Sequence, residues 1–421
     1  MLASLLLALC FFPIVALSTR AALLHISPDI EDAARLMGGA RNTWFRALVP
    51  LLWPTIAASA GIVMALAMWE MGAPDLLDAR TYSVEIYRNL SAGDGLNASE
   101  KNVAAALASM PMLLLGALAL WPAARALKKT RAFSSHTAPH FAPSNAASST
   151  RIENRVIAIF ATLVLLASPV AVLGIFVNQM RPLKVLGESW SSNDVELWNT
   201  IRLATLAALL LVALGFALVA GWRDWPRRLR NVALGLCTLP LLIAPVMLGI
   251  ALIVFWNTPP FSIVYGDLRP TGIAAIDALQ YGFTRDAMML IGYAARFLPL
   301  AIVLLYAASQ RVDNALLEAA QNLGAAPGIT THTVLLPQMA PALVGTFALL
   351  WALCGGELST SVLINQPGGQ TLPIPIFSLM HIGSTAEVAA LSLTLLGLCG
   401  GALMGGVGLM RFLLRYGETL S

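Results

Sequence analysis

Charge is scarce in this chain. Only 11% of its 421 residues are Asp, Glu, Lys or Arg, while 58% are hydrophobic, and the mean hydropathy is +0.75. A soluble protein of this length could not cover so much apolar surface, so most of it must face lipid or other helices. Cysteine is rare too. Cys10, Cys237, Cys354 and Cys399 all fall inside apolar runs, with no CxxC pair. They read as small buried hydrophobes, which argues against a disulfide framework or a metal site. The five histidines are scattered. His136 and His140 have a ligand-like spacing but stand in a Ser/Ala/Pro-rich stretch with no acidic or Cys neighbour, as a solvated linker would. The four lysines are Lys101, Lys128, Lys129 and Lys184, and none follows a glycine. No phosphate-binding Gly-x-x-x-x-Gly-Lys-Ser/Thr loop is therefore present, and the chain is not expected to hydrolyse ATP. It also lacks the intramembrane series of acids and histidines of a proton-driven carrier.

What is present is a set of continuous apolar runs, each about 20 residues long, the length of a membrane-spanning helix. A closed β-barrel would instead alternate apolar and polar residues. The expected fold is an all-α integral membrane protein with about nine spans, near 3–19, 48–68, 103–124, 156–178, 200–220, 232–256, 287–307, 342–364 and 387–410. If the loop holding Glu31 lies in the cytoplasm, the cytoplasmic side receives 17 Lys and Arg and the outer side 7, with Arg202 and Arg296 inside spans. That is the positive-inside distribution. The net charge of +4 is thus a bias toward the inner leaflet, and it implies the lipid bilayer rather than nucleic acid as partner. The first span begins almost at Met1, with no basic residue before Arg20. It does not read as a cleavable signal. It reads as an internal helix of a shortened first half.

The chain repeats itself. Pro50 and Pro54 match Pro337 and Pro341 at a constant offset of 287, and Glu70 matches Glu357 at the same offset. Thr81 with Ile86-Tyr87 matches Thr371 with Ile376-Phe377 at 290. Internal repetition of this kind suits a pseudo-symmetric pathway. The expected organisation is a partial first half, 1–125, with three spans; a linker, 126–154, rich in Ser, Ala and Pro; and a complete second half, 155–421, with six spans.

Each half carries one polar device between apolar spans. In the second, Glu318-Ala319-Ala320 is followed by three residues, Gly324, nine residues and Val334-Leu335-Leu336-Pro337. Asp313 or Asn314 can cap its helix. In the first, Asp32-Ala33-Ala34 is followed by three residues and Gly38, with Leu48-Val49-Pro50 downstream. There Ser27 suits an N-cap and Pro28 the first helical position. Both helices should stop at glycine, where a left-handed turn costs least. Small alanines let a partner backbone approach, and the carboxylate near the helix start can take a hydrogen bond or a basic partner. A short helix tied at both ends to spans can turn movement of a partner into movement of the spans.

These residues resemble the membrane subunit of binding-protein-dependent ABC importers, whose signature is EAA, three residues, G, nine residues, I-x-L-P. The second copy matches throughout except for Val334. The first departs twice, with Asp32 for glutamate and one residue fewer before Pro50. The tandem layout, with Gly355-Gly356-Glu357-Leu358-Ser359-Thr360 and Tyr82 to Tyr87, is similar to iron(III) permeases. The resemblance implies a type I importer permease fold with two pseudo-symmetric halves in the bacterial inner membrane. It implies a cytoplasmic ABC ATPase dimer held at Asp32, Ala33, Ala34, Gly38, Glu318, Ala319, Ala320 and Gly324. A periplasmic binding protein would deliver solute to the outer face. The chain itself would be no enzyme and hold no cofactor or metal, with ATP and magnesium used by the partner. Iron(III) is the expected solute; thiamine, polyamines, sulfate and phosphonates are alternatives handled by similar permeases. The rival readings are an ion-coupled secondary carrier and a degenerate, non-transporting scaffold.

Glu70 and Glu357 each follow the motif proline by 20 residues. At 1.5 Å per residue that is about 30 Å, one bilayer core, so both are expected near the outer mouth. They are candidates for a gate or a transient contact with a cationic solute, or for helix-end carboxylates bonded to a neighbouring loop. Arg296, inside a span, reads as a pairing partner or interhelical donor more readily than as a solute ligand. Asn365-Gln366-Pro367-Gly368-Gly369 marks a tight outer turn.

Overall fold

The computed structural model of the chain describes residues 2–23, 48–91, 107, 110–118, 162, 170–180, 184–258, 274–366 and 368–420, and all regular structure among them is helical. It divides into two units, residues 1–95 with 107–175 and residues 96–106 with 176–421. The linker expected at 126–154 lies outside the described residues, as does the first polar device with Asp32, Ala33, Ala34 and Gly38.

In the first unit, α1 (Leu2–Leu23) packs against α2 (Val49–Trp69). A proline stands at the start of α2, where its missing N–H costs nothing, and Glu70 closes the helix in extended conformation. Two short helices follow, α3 (Gly72–Leu76) and α4 (Tyr82–Ser91). Arg88 of α4 donates to Asp75 at 3.1 Å and to Asp78 at 3.3 Å, tying the turn after α3 to α4. Hydrogen bonding to these two carboxylates, Asp75 first, raises the Arg88 guanidinium above its ordinary range.

The second unit runs α5 (Lys184–Ser192), α6 (Asp194–Gly221), α7 (Arg227–Thr238), a 3-10 turn at Leu239–Leu242 and α8 (Pro245–Asn257). Then come α9 (Ala274–Ser309), α10 (Asn314–Asn322), α11 (Pro327–Thr330), a π turn at Thr331–Leu335 and α12 (Leu336–Gly355). It ends with α13 (Ser361–Ile364), α14 (Pro373–Ile382) and α15 (Thr385–Leu420). Helices α6, α9 and α12 pack on one another, and α15 packs along α12. Their shared core joins Leu203, Ala207 and Leu211 of α6 to Met289, Tyr293 and Phe297 of α9 and to Leu350 and Trp351 of α12. Small residues set the spacing, as they must where lipid gives no hydrophobic drive between helices. A Cβ on Gly406 of α15 would stand 2.2 Å from the Ala348 Cβ of α12, so only glycine permits this approach. The Trp351 indole donates to Thr205 Oγ1 at 2.9 Å, satisfying a polar pair inside the bundle.

Six of the described helices are long and apolar enough to cross a membrane, or seven if α7 and α8 form one bent span. Most of the expected spans 103–124 and 156–178 lie outside the described residues; Val170–Gln179 is the part of the latter that is seen as a helix. The span expected at 342–364 is displaced. The crossing stretch is Gly328–Gly355, because the π turn carries α11 into α12 without a break and Gly355-Gly356 ends the helix. The run at 232–256 is not one straight helix. Pro240 and Pro245, which cannot donate in a helix interior, separate α7 from α8, and the two segments meet at 96°.

The repeat read from the sequence reappears as a repeated order of elements. In each unit a long helix with an internal proline, Pro54 or Pro341, ends beside a glutamate. A helix of 5 or 4 residues follows, and then one of 10 residues.

Candidate functional site

Helix α10 carries the Glu-Ala-Ala triplet. Its start is fixed by Asp313, whose side chain accepts the Ala315 N–H at 2.9 Å, which satisfies an otherwise orphan donor. Its end is a paired glycine stop. The Ala325 N–H reaches the Ala320 carbonyl at 3.1 Å and the Gly324 N–H reaches the Gln321 carbonyl at 2.9 Å, the two bonds of a Schellman motif. Gly324 sits at φ +85 with nothing within 4 Å of where a Cβ would be. What demands glycine here is backbone conformation, since space is open.

The two faces of α10 differ. Leu317 is buried, seated in a cluster with Val219, Trp222, Ile302, Leu305, Leu335 and Met339 at one end of the bundle. Glu318 and Ala319 are exposed and Ala320 is half-buried. Leu316 is 51% exposed, Leu323 89% and, beyond the turn, Ile329 56%. One leucine therefore fastens the helix to the ends of α6, α9 and α12, while its neighbours offer apolar surface outward. By the positive-inside rule this is the cytoplasmic end, beside Arg223, Arg227, Arg228 and Arg230.

At the opposite end of α12 the helix stops at Gly355, and Glu357 lies just beyond it in a buried loop. Its carboxylate pairs with Arg296 of α9 and accepts the Thr360 N–H at 2.8 Å. Thr360 Oγ1 also donates to the Pro245 carbonyl at 3.4 Å, so one loop holds α8, α9 and α12. Glu70, at the matching point of the first unit, accepts the Gly72 N–H at 3.2 Å, and its carbonyl takes the Ser83 hydroxyl at 2.9 Å. Glu318 and Gly324 thus stand at one end of the second unit's spans, and Arg296 and Glu357 are brought together as an ion pair toward the other.

Two features were missed in the sequence. Arg202 of α6 pairs with Asp286 of α9 at 2.8 Å. Asn199 and Thr200, one turn earlier, hold the outer turn. Asn199 Nδ2 donates to the Gly368 and Gln370 carbonyls at 3.0 and 3.1 Å, and Thr200 Oγ1 accepts the Leu372 N–H at 2.7 Å. The available signal was an arginine within an apolar run, which needs a partner.

Comparison with known proteins fits this architecture. Residues 213–408 match the family described as binding-protein-dependent transport system inner membrane component, a stretch that runs from α6 to α15 and includes the whole α10 device. A protein of Salmonella paratyphi A, provisionally named 2-aminoethylphosphonate transport system permease protein PhnV, is 43% identical over 76 residues, 18% of this chain and 29% of that relative. The spermidine/putrescine transport system permease protein PotC of Escherichia coli K12 is 30% identical over 118 residues, 28% of this chain and 44% of that relative. The chain thus spans less than half the length of these curated relatives. Among solved structures, a chain of a bacterial ABC transporter involved in the import of the acidic polysaccharide alginate aligns at 15% identity with a TM-score of 0.48, covering 62% of this chain and 96% of that one. Its apolar helices and its relatives make the chain a multi-pass protein of the bacterial inner membrane. Through residues 213–408, a little under half of its length, the chain is similar to the binding-protein-dependent transport system inner membrane component family.

Proposed function

We propose that this chain is the permease of an ATP-driven importer, with α10 as the lever on which a cytoplasmic ABC ATPase acts. The observation that carries this reading is the two-sidedness of α10: Leu317 locked among the ends of the spans, Leu316, Glu318, Ala319 and Leu323 turned outward. A helix held rigidly at both termini transmits displacement in place of absorbing it. Closure of an ATPase pair would carry α10 and, with Asp32 to Gly38 in the matching role, the first half's device. The spans would then open outward to a solute delivered by a periplasmic binding protein. ATP and magnesium belong to the partner. This chain supplies no covalent catalysis.

The solute is a separate matter. The curated relatives carry the names of 2-aminoethylphosphonate and spermidine/putrescine systems, so their names give iron(III) no support and favour a small phosphonate or polyamine. We assign Glu357, with Glu70 as its repeat, to bracing the ends of the spans, since Glu357 is already neutralised by Arg296.

Co-expression with a candidate ABC ATPase tests the reading. A membrane complex should purify with the wild-type chain and be lost with Glu318→Lys, the chain still inserted. A normal complex with that variant would defeat the assignment. The solute bound by a binding protein that docks on this chain, measured by calorimetry, decides between phosphonate, polyamine and iron(III).

A further inference from the structure

A cavity of about 330 Å³ opens beside the seat of α10, and its lining includes Arg223, Arg227, Arg230, Tyr306, Val312 and Leu335. Three of the lining side chains are arginines and, among the described residues, none is Asp or Glu. The Arg230 guanidinium lies 5.8 Å from the centre of the Tyr306 ring, and its Nε is buried without a hydrogen-bond partner. An orphan buried donor of this kind costs free energy until an acceptor arrives. Burial lowers the pKa of Arg223, an effect that the neighbouring Asp224 opposes. A fork of guanidinium N–H groups matches the paired oxygens of a phosphate or a carboxylate.

The surroundings point to a phosphate and to its source. Helix α7 forms the wall of the cavity and buries none of its residues. Leu229, Val232 and Leu236 are 48%, 57% and 61% exposed, three positions along one helical stripe, and Leu239 continues it at 51%. Trp222 and Trp225 pair beside it with ring centres 6.2 Å apart. An arginine-rich helix with an apolar stripe and an adjoining tryptophan pair is built for the boundary between headgroups and acyl chains. Basic pockets between helix ends on the cytoplasmic side suit anionic headgroups.

We infer that this cavity binds the phosphodiester headgroup of an anionic phospholipid, with Arg227 and Arg230 on the phosphate, while the α7 stripe on the opposite face of the helix seats α7 at the bilayer boundary. The position has a consequence for the protein. Val312 and Leu335 line the cavity and also belong to the cluster that holds Leu317, so an occupied pocket braces the seat of α10.

The test uses the full chain in nanodiscs of phosphatidylcholine, with or without phosphatidylglycerol, read by native mass spectrometry and thermal unfolding. Wild type should retain one phosphatidylglycerol per chain after delipidation and unfold at a higher temperature when it is present. Arg227→Gln with Arg230→Gln should weaken retention on the order of thirtyfold. Arg228→Gln, whose side chain is outside the cavity lining, should not. Because Arg230 touches the bundle, Arg227→Gln alone is the variant that keeps the test valid if the double variant does not fold; it should give part of the loss. Soluble glycerol phosphate, added to phosphatidylcholine discs, should give no shift. A shift with glycerol phosphate but no lipid retention would assign the pocket to a free phosphate ester and overturn the lipid. Equal retention of phosphatidylcholine, or equal retention of phosphatidylglycerol by wild type and Arg227→Gln, would overturn the site.

Discussion

Gly324 is the residue on which the end of α10 depends. At φ +85 an L-residue is strained by about 1–2 kcal/mol, and a β-branched one by more. Gly324→Val should therefore unravel the last turn of α10, abolish the ATPase complex and leave membrane insertion normal, measured by co-purification from membranes. Gly328→Ala is the control, since Gly328 has open space and no positive φ. The Arg296–Glu357 pair makes a different prediction. Side-chain exposure is 27% for Arg296 and 5% for Glu357, so Arg296→Leu leaves a buried carboxylate with one N–H donor. Breaking such a pair costs about 3–5 kcal/mol, reduced by the partial exposure of the arginine, whereas replacing both partners costs far less. In thermal unfolding, Arg296→Leu should be less stable than Arg296→Leu with Glu357→Leu. The reverse order would show that the pair is not structural.

The role proposed for α10 requires a helix that is both fastened and exposed, and two adjacent leucines divide those tasks. Leu317→Ala removes a buried anchor, at about 2–5 kcal/mol for such core truncations, and should speed amide exchange through residues 314–323 relative to α6. Leu316→Ala, at a half-exposed position, should change stability by less than about 0.5 kcal/mol yet weaken ATPase binding. At this level the sequence was a good guide where local chemistry decides. The glycine stop, the capping Asp313 and the long apolar runs all depend on residues a few positions apart. It failed where distant contacts decide. Nothing within a window around Arg202 shows Asp286, which lies 84 residues away. The π turn that joins α11 to α12 has no local signature, so the crossing stretch was placed too far along the chain. The break between α7 and α8 was legible in principle from Pro240 and Pro245, but the continuous apolar run masked it.

For the molecule as a whole, the second unit ties its two ends together through α12. Its start rises from the α10 device, and its end stops at the Glu357 loop that grips α8 and α9. On the proposed reading, a push on α10 would be delivered to several spans at once. The most direct test is crosslinking, since it does not require the solute to be known. A photoreactive residue in place of Leu323, 89% exposed on α10, should crosslink to the ABC ATPase in reconstituted vesicles, with a yield that changes between nucleotide-free and ATP-bound conditions. No adduct with the ATPase in either condition, from a chain that is correctly inserted, would contradict the account.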